Sequence, residues 1–435
     1  MHSLKSNLSR SKWYWFLREL NRAVRSTLKD WDKTYNQYRC VTITPKNSSR
    51  GNVLVSYFNT LGHNRGIGAD RHPIERFFGP MALPPPVFHN EWECRQMVQT
   101  FLDMGYTVDV ISWKNTQFIP QKEYSVFVDV RHNMERLSPL LDKACVKIQH
   151  IDTAHMLFHQ AGEASALLAL QQRRGMTLRG GRTEMPNLGI EHAHAATILG
   201  NRFTIETFRY ANKPLYPLPV TPAFLYPSPG EKDFARCAKR FLWLGTAGLV
   251  FKGLDVVLEA FAHMPDYHLT ICGPIRHEPH FEKAYYKELY QTPNIHTVGW
   301  VNVGSPEFAA LASECCGVVS ASCSEGQSGS VVTGLHLGLI PIISYECGVD
   351  VDGFGLILRE RSIRAVQEAV WSVSQLSASQ LQLWALRAWR QAQTYYTRQL
   401  FALKYRKSVE TILASQPPVK VRVRPEAVPE TTHAA

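Results

Sequence analysis

Between residues 315 and 345 the chain reads CCGVVSASCSEGQSGSVVTGLHLGLIPIISY, and this stretch limits the possible folds more than any other. Residues 317–322 are a short apolar run ending in small residues, and residues 339–345 are a second run rich in isoleucine. They bracket a helical pattern of about ten residues, the order of a strand–helix–strand unit with parallel strands. Between the first run and the helix lies Ser324-Glu325-Gly326-Gln327-Ser328-Gly329-Ser330. Glycine lets the backbone approach a ligand closely, and a helix start carries unpaired N–H groups, so this loop is a candidate phosphate site.

A chain of 435 residues with an apolar fraction of 45% is long enough for two or three domains with real cores. Its nine cysteines have no metal-binding spacing, and the one close pair, Cys315-Cys316, sits inside an apolar run. Neither a disulfide framework nor zinc is the expected reading, and a reducing cytoplasm fits best. No apolar run is long enough to cross a bilayer, and the N-terminus lacks a signal-peptide core, so the expectation is a protein neither secreted nor membrane-spanning.

The net charge of +11 is concentrated at one end. Residues 1–50 carry eleven Lys/Arg against Glu19, Asp30 and Asp32, which accounts for +8 of the total. The remainder is nearly balanced and shows no base-stacking or base-reading module, so nucleic acid is not an expected partner. Within residues 1–50, Trp13, Tyr14, Phe16, Leu17, Leu20, Val24, Leu28 and Trp31 recur at helical spacing among arginines. Such a helix either packs its apolar stripe on the body of the protein or, through residues 1–46, lies peripherally on the anionic inner face of a membrane.

From residue 51 strands and helices alternate as in a parallel α/β sheet. Residues 52–58, 108–113, 124–130 and 146–151 read as strands. A helix is expected from Asn90, with Glu93 completing a capping box and Gly105 ending it, and a second helix over 137–143. Six prolines within residues 214–229 mark a connector between domains. A second alternating series then follows: strands at 240–244, 269–272 and 295–298 and helices at 254–262, 281–289 and 306–314, before the unit described above. Amphipathic helices fill 363–413. The expected organisation is a basic extension (1–50), a first Rossmann-like domain (51–220), a linker (221–235), a second Rossmann-like domain (236–376), helices packing back on the first domain across the hinge (377–415) and a disordered tail (416–435).

The second half resembles the donor domain of GT-B glycosyltransferases, most of all glycosyltransferase family 4. The resemblance rests on FLWLGTAGLVFKGLDVVLEAF, HLTICGP, NIHTVGWV and VVSASCSEGQSGSVVTGLHLGLIPIIS, in the family's order and near its spacing, across residues 240–344. It implies the GT-B architecture, an acceptor domain and a donor domain facing across a cleft. It also implies transfer of a sugar, with retention, from a nucleotide-diphosphate sugar to a glycan, lipid or small-molecule acceptor, with no metal or other cofactor.

The resemblance also implies roles for single residues. Lys252 falls where the family's lysine meets the donor diphosphate, and Gly245 ends the strand framing that loop. Glu325 matches the first of two family glutamates, the one facing the sugar and the reacting centre. Gly326, Ser328, Gly329 and Ser330 form the loop whose amides hold phosphate. The second glutamate, a ribose ligand in the family, is Thr333 here, and the family arginine after the first strand is replaced within Thr246-Ala247-Gly248. These departures keep open a degenerate GT-B protein acting as a binding or scaffold module. His150, Asp152, His155 and His159 have a spacing that suits a divalent metal, with His155 and His159 on one helix face. The resemblance instead places this segment along the cleft, with His155 touching donor sugar or acceptor. The loop holding Gly62, Gly66 and Gly68 reads as an acceptor-side loop, with Asn64, Arg65, Asp70 and Arg71 as sugar contacts.

Overall fold

The computed structural model describes residues 38–46, 49–57, 89–222, 224–229 and 232–415. The basic stripe before residue 38, the acceptor-side loop with Gly62, Asn64, Arg65, Gly66, Gly68, Asp70 and Arg71, and the tail from 416 lie outside the described residues.

Two sheets organise the chain. The first contains β1 (Cys40–Ile43), β2 (Asn52–Tyr57), β3 (Thr107–Ser112), β4 (Val126–Asp129), β5 (Val146–Ile151), β6 (Ala195–Leu199) and β7 (Leu215–Leu218), in the order β1-β3-β2-β4-β5-β6-β7. All neighbours are parallel except β1, which runs antiparallel to β3. The second sheet contains β8 (Arg240–Leu244), β9 (His268–Cys272), β10 (Ile295–Gly299), β11 (Gly317–Ser320), β12 (Ile340–Ile343) and β13 (Leu356–Ile357), all parallel, in the order β10-β9-β8-β11-β12-β13. Strands covered on both faces read as continuous apolar runs, which is why β4 (VFVD) and β12 (IPII) are buried throughout.

The two outermost strands of the first sheet differ from expectation. Residues 40–43, read as part of the extension, form an edge strand: Ile43 enters the core and the Thr42 hydroxyl donates to Asp109 Oδ1 at 2.6 Å. Residues 215–218, read as connector, form the opposite edge, where Pro217 lies level with Ile198 and its missing N–H disturbs no further neighbour.

The first helix spans His89–Asp103, so Asn90, expected as its cap, lies inside it. Glu93 is fully buried, and its Oε1 accepts from the Thr221 N–H (3.1 Å) and hydroxyl (3.0 Å). The helix expected at 137–143 lies earlier, at Asn133–Leu137, where Asp129 Oδ2 accepts the Met134 N–H at 2.7 Å, and it tightens into a single turn at Ser138–Leu140.

Three helices set how the halves meet. Helix Met156–Arg174 leaves the first sheet after β5, yet Ala166 and Leu170 sit in the core of the second domain. Helix Ala378–Tyr395 packs Ala388 and Ala392 against Val331, Val332 and Leu335, so it belongs with the second domain and not, as expected, with the first. The return crossing occurs at Tyr396-Thr397, and helix Arg398–Ala414 then places Phe401, Tyr405, Val409 and Ile412 in the core of the first domain.

Candidate active site

In the second sheet the strand order reverses between β8 and β11, and open α/β sheets bind ligands beyond the carboxyl ends of strands at such a point. The two loops of interest leave these two strands. Gly245 follows β8, and residues 249–253 bring Lys252 back toward the end of β11. Gly253 has φ +75° and packs its Cα against the Ala321 carbonyl, so neither the conformation nor the space admits a side chain. Glu325 sits on the loop after β11.

Lys252 and Glu325 form an ion pair, and the Ser322 hydroxyl donates to the same carboxylate oxygen at 3.0 Å. Both side chains are largely enclosed, with 9% and 12% exposure, so the pair is screened far less than a surface one. With Gly245, Thr246, Gly329, Ser330 and Thr333 they form the second-domain wall of a cleft of about 660 Å³. The Thr333 hydroxyl donates to the Gly329 carbonyl at 2.8 Å, a bond internal to its helix.

The first domain forms the opposite wall. Arg131, which follows β4, pairs with Asp152 at 2.9 Å and Glu184 at 3.2 Å, and burial raises the Asp152 pKa. His159 lies on the cleft wall with its ring 4.5 Å from that of Phe251. Its Nε2 donates to the Arg182 carbonyl at 2.7 Å, and burial lowers its pKa, so the ring is held as the neutral tautomer. Trp300, 61% exposed, stands on the same cleft beside Asn302.

Several expected site residues lie elsewhere. His155 caps helix Met156–Arg174: its Nδ1 accepts the Leu157 N–H at 3.4 Å and its Nε2 meets the Tyr210 hydroxyl at 3.0 Å. It lines a smaller pocket that shares Arg131, Asp152, Thr153 and Glu184 with the cleft, while His159, one turn later, lines the cleft itself. His150 is fully buried with Nδ1 on Thr197 Oγ1 at 2.8 Å, and burial lowers its pKa to about 3. Among the described residues no group of three or more His, Cys, Asp or Glu assembles that could hold a metal ion.

Gly326 and Ser328 are also off the cleft. A Cβ on Gly326 would lie 2.5 Å from the Asp152 carbonyl, and the Gly326 carbonyl accepts from the Thr204 hydroxyl at 2.6 Å. The Ser328 N–H donates to the Cys347 carbonyl at 2.9 Å. The Thr204 bond, with Ala154 N–H on the Glu325 carbonyl (3.1 Å) and Val220 N–H on Gln327 Oε1 (2.7 Å), ties the loop to the first domain, the Ser328–Cys347 bond holds it within the second, and Glu325, Gly329 and Ser330 line the cleft.

Two parallel-dominated Rossmann-like sheets with a cleft between them and a terminal helix crossing back define the GT-B fold. The resemblance read from residues 240–344 holds at the level of this fold. No family model and no curated protein matches the sequence. Among solved structures the chain is similar to sucrose-phosphate synthase from Thermosynechococcus elongatus, with TM-score 0.57, 12% identity, and 84% of this chain and 100% of that one covered. It is similar also to Anabaena HepE in complex with UDP and glucose, with TM-score 0.50, 10% identity, and 84% of this chain and 100% of that one covered.

Proposed function

We propose that the chain is a glycosyltransferase that takes a nucleotide-diphosphate sugar into this cleft and passes the sugar, with retention and without a metal, to an acceptor held against the first domain. The observation that supports this most is the convergence of Lys252, Glu325 and the start of helix Gly329–His336 on one cleft at the strand-order reversal. HepE, of the same fold, is in complex with UDP and glucose in its solved structure.

When the bond from the sugar C1 to the diphosphate breaks, the leaving group keeps the electron pair. Lys252 and the amides at Gly329 and Ser330 meet the charge that develops there, and Glu325 orients the sugar. The acceptor oxygen forms the new bond to C1 on the face the diphosphate leaves, and its proton passes to the departing phosphate oxygen. The Lys252–Glu325 pair is then the resting state, which an incoming diphosphate opens by competing for the ammonium.

A second reading, a binding module without turnover, is favoured by Thr333, whose hydroxyl is engaged inside its own helix and offers the ribose no carboxylate. Titration calorimetry of the full chain with UDP, GDP and ADP tests the donor site. One of the three should bind, and Lys252→Ala should weaken it by about 1.5–3 kcal/mol, the scale of a charge-assisted contact. A Lys252→Ala protein that binds every nucleotide as wild type does would remove the diphosphate assignment and the transferase reading with it.

A further inference from the structure

The first part of the loop after β8 carries Thr246, Ala247 and Gly248, and hence no cation before Lys252, although a diphosphate holds more charge than one lysine offsets. We infer that Arg182, from the first domain, is the second phosphate-binding cation of the cleft; the inference rests on the donor reading above.

Its place is built from three directions. Glu163, buried on helix Met156–Arg174, accepts the N–H groups of Gly181 (2.7 Å) and Arg182 (2.9 Å) on one carboxylate oxygen, and His159 holds the Arg182 carbonyl at 2.7 Å. Gly181 and Gly248 then pass so closely that a Cβ on Gly181 would lie 3.1 Å from Gly248 Cα. Gly248, at φ +87°, leaves the space that the arginine stem fills, for a Cβ there would lie 2.5 Å from Arg182 Cγ. The side chain therefore lies over Gly248, in the part of the loop that has no cation of its own.

Among the described residues the head group has no hydrogen-bond or ion-pair partner. Its guanidinium carbon stands 5.8 Å from the centroid of the Phe251 ring, the Lys252 ammonium 5.9 Å from the same centroid, and among the described residues its buried Nε has no hydrogen-bond partner. No described carboxylate lies within ion-pair distance of it, whereas Arg131, Arg173, Arg174 and Arg361 each hold one. The amides of Gly248 and Leu249 are taken by Glu278, at 2.5 and 3.1 Å, so the backbone of this loop does not serve the anion. A planar guanidinium on the cleft wall, with an unsatisfied buried donor and an ammonium beside it, suits the two-pronged hydrogen bonding of a phosphate oxygen pair. The diphosphate is thus gripped by one cation from each domain.

The test is calorimetry of the full chain and of Arg182→Ala, Arg182→Lys and Lys252→Ala with UDP against UMP, and likewise GDP against GMP and ADP against AMP, with inorganic pyrophosphate as a further probe. Arg182→Ala should weaken the bound diphosphate about ten- to a hundredfold, the range of a charged hydrogen bond, and the monophosphate less than about threefold. Pyrophosphate should weaken in parallel, since the site reads the phosphates and not the nucleoside. The loop is held through its backbone, so the melting temperature of Arg182→Ala should match wild type. If that variant does not fold, Arg182→Lys keeps the stem over Gly248 and should still lose at least about threefold in diphosphate-over-monophosphate preference. Diphosphate binding unchanged in both variants while Lys252→Ala is weakened would overturn the role of Arg182 alone. Wild-type protein that binds no diphosphate would overturn the donor reading and this inference together.

Discussion

Glu325 and Lys252 neutralise one another in the unliganded cleft, and this changes what each mutation should do. On the proposed donor reading, a carboxylate beside Lys252 repels the diphosphate and holds the cation that would receive it. Glu325→Gln should therefore bind the nucleoside diphosphate about threefold or more tightly than wild type, because it frees Lys252. Under the proposed function turnover should fall by at least about a hundredfold, because the charge removed is the one assigned to the reacting sugar. Parallel calorimetry and initial-rate measurements check this, and affinity and turnover falling together would contradict it. Burial of the pair does not by itself stabilise the fold, because desolvation offsets the attraction.

At the scale of elements, what was legible in the sequence is what repeats locally. The β8 strand and the helix Leu254–Ala262 match the pattern read for them to the residue, because a short apolar run and an amphipathic period each carry a strong signal. The SEGQSGS loop announced a site through its glycines, and Glu325, Gly329 and Ser330 do face the cleft. Gly326 serves a different need, the close passage of the Asp152 backbone, which no local pattern encodes. The edge strands β1 and β7 escaped notice because four residues with one partner carry little hydrophobic period, and prolines in β7 read as connector. Arg182 lies in the stretch RGGRTE, without helical or strand period; only its two preceding glycines hinted at a close approach, and that approach is to a loop 66 residues later. Choosing between His155 and His159 needed the start of helix Met156–Arg174, which makes the first its cap and turns the second to the cleft.

At the scale of the whole molecule, the halves are joined by more than the crossing segments. Arg173 reaches Asp255 at 2.8 Å and Arg174 reaches Glu288 at 2.7 Å from the same helix that buries Leu170 in the second domain. Asp255 is fully buried and Glu288 nearly so, so desolvation offsets much of the attraction in these pairs, whereas a fully buried leucine contributes roughly 1.5–3 kcal/mol. On the opposite side Glu93 holds Thr221, where the chain leaves the first domain. Burial pushes its pKa from 4.5 to about 8, with hydrogen bonds from Thr221 opposing the shift. The folded chain keeps this proton through a range in which the unfolded chain has lost it, so this group's contribution makes stability fall as pH rises from about 4.5 to 8. Glu93→Gln removes that contribution while keeping an acceptor for Thr221. Its melting temperature relative to wild type should climb steadily between pH 5 and pH 9, to be followed by scanning calorimetry. An offset independent of pH would mean that Glu93 is not protonated in the folded chain.

On the proposed function, the cleft between the domains is a diphosphate site built on Lys252 and the start of helix Gly329–His336. A crystal structure of the full chain grown with whichever of UDP, GDP or ADP binds tests this most directly. The claim predicts the diphosphate between Lys252 Nζ and the amides of Gly329 and Ser330, with the Lys252–Glu325 pair opened. A nucleotide bound elsewhere, with that pair intact, would contradict it.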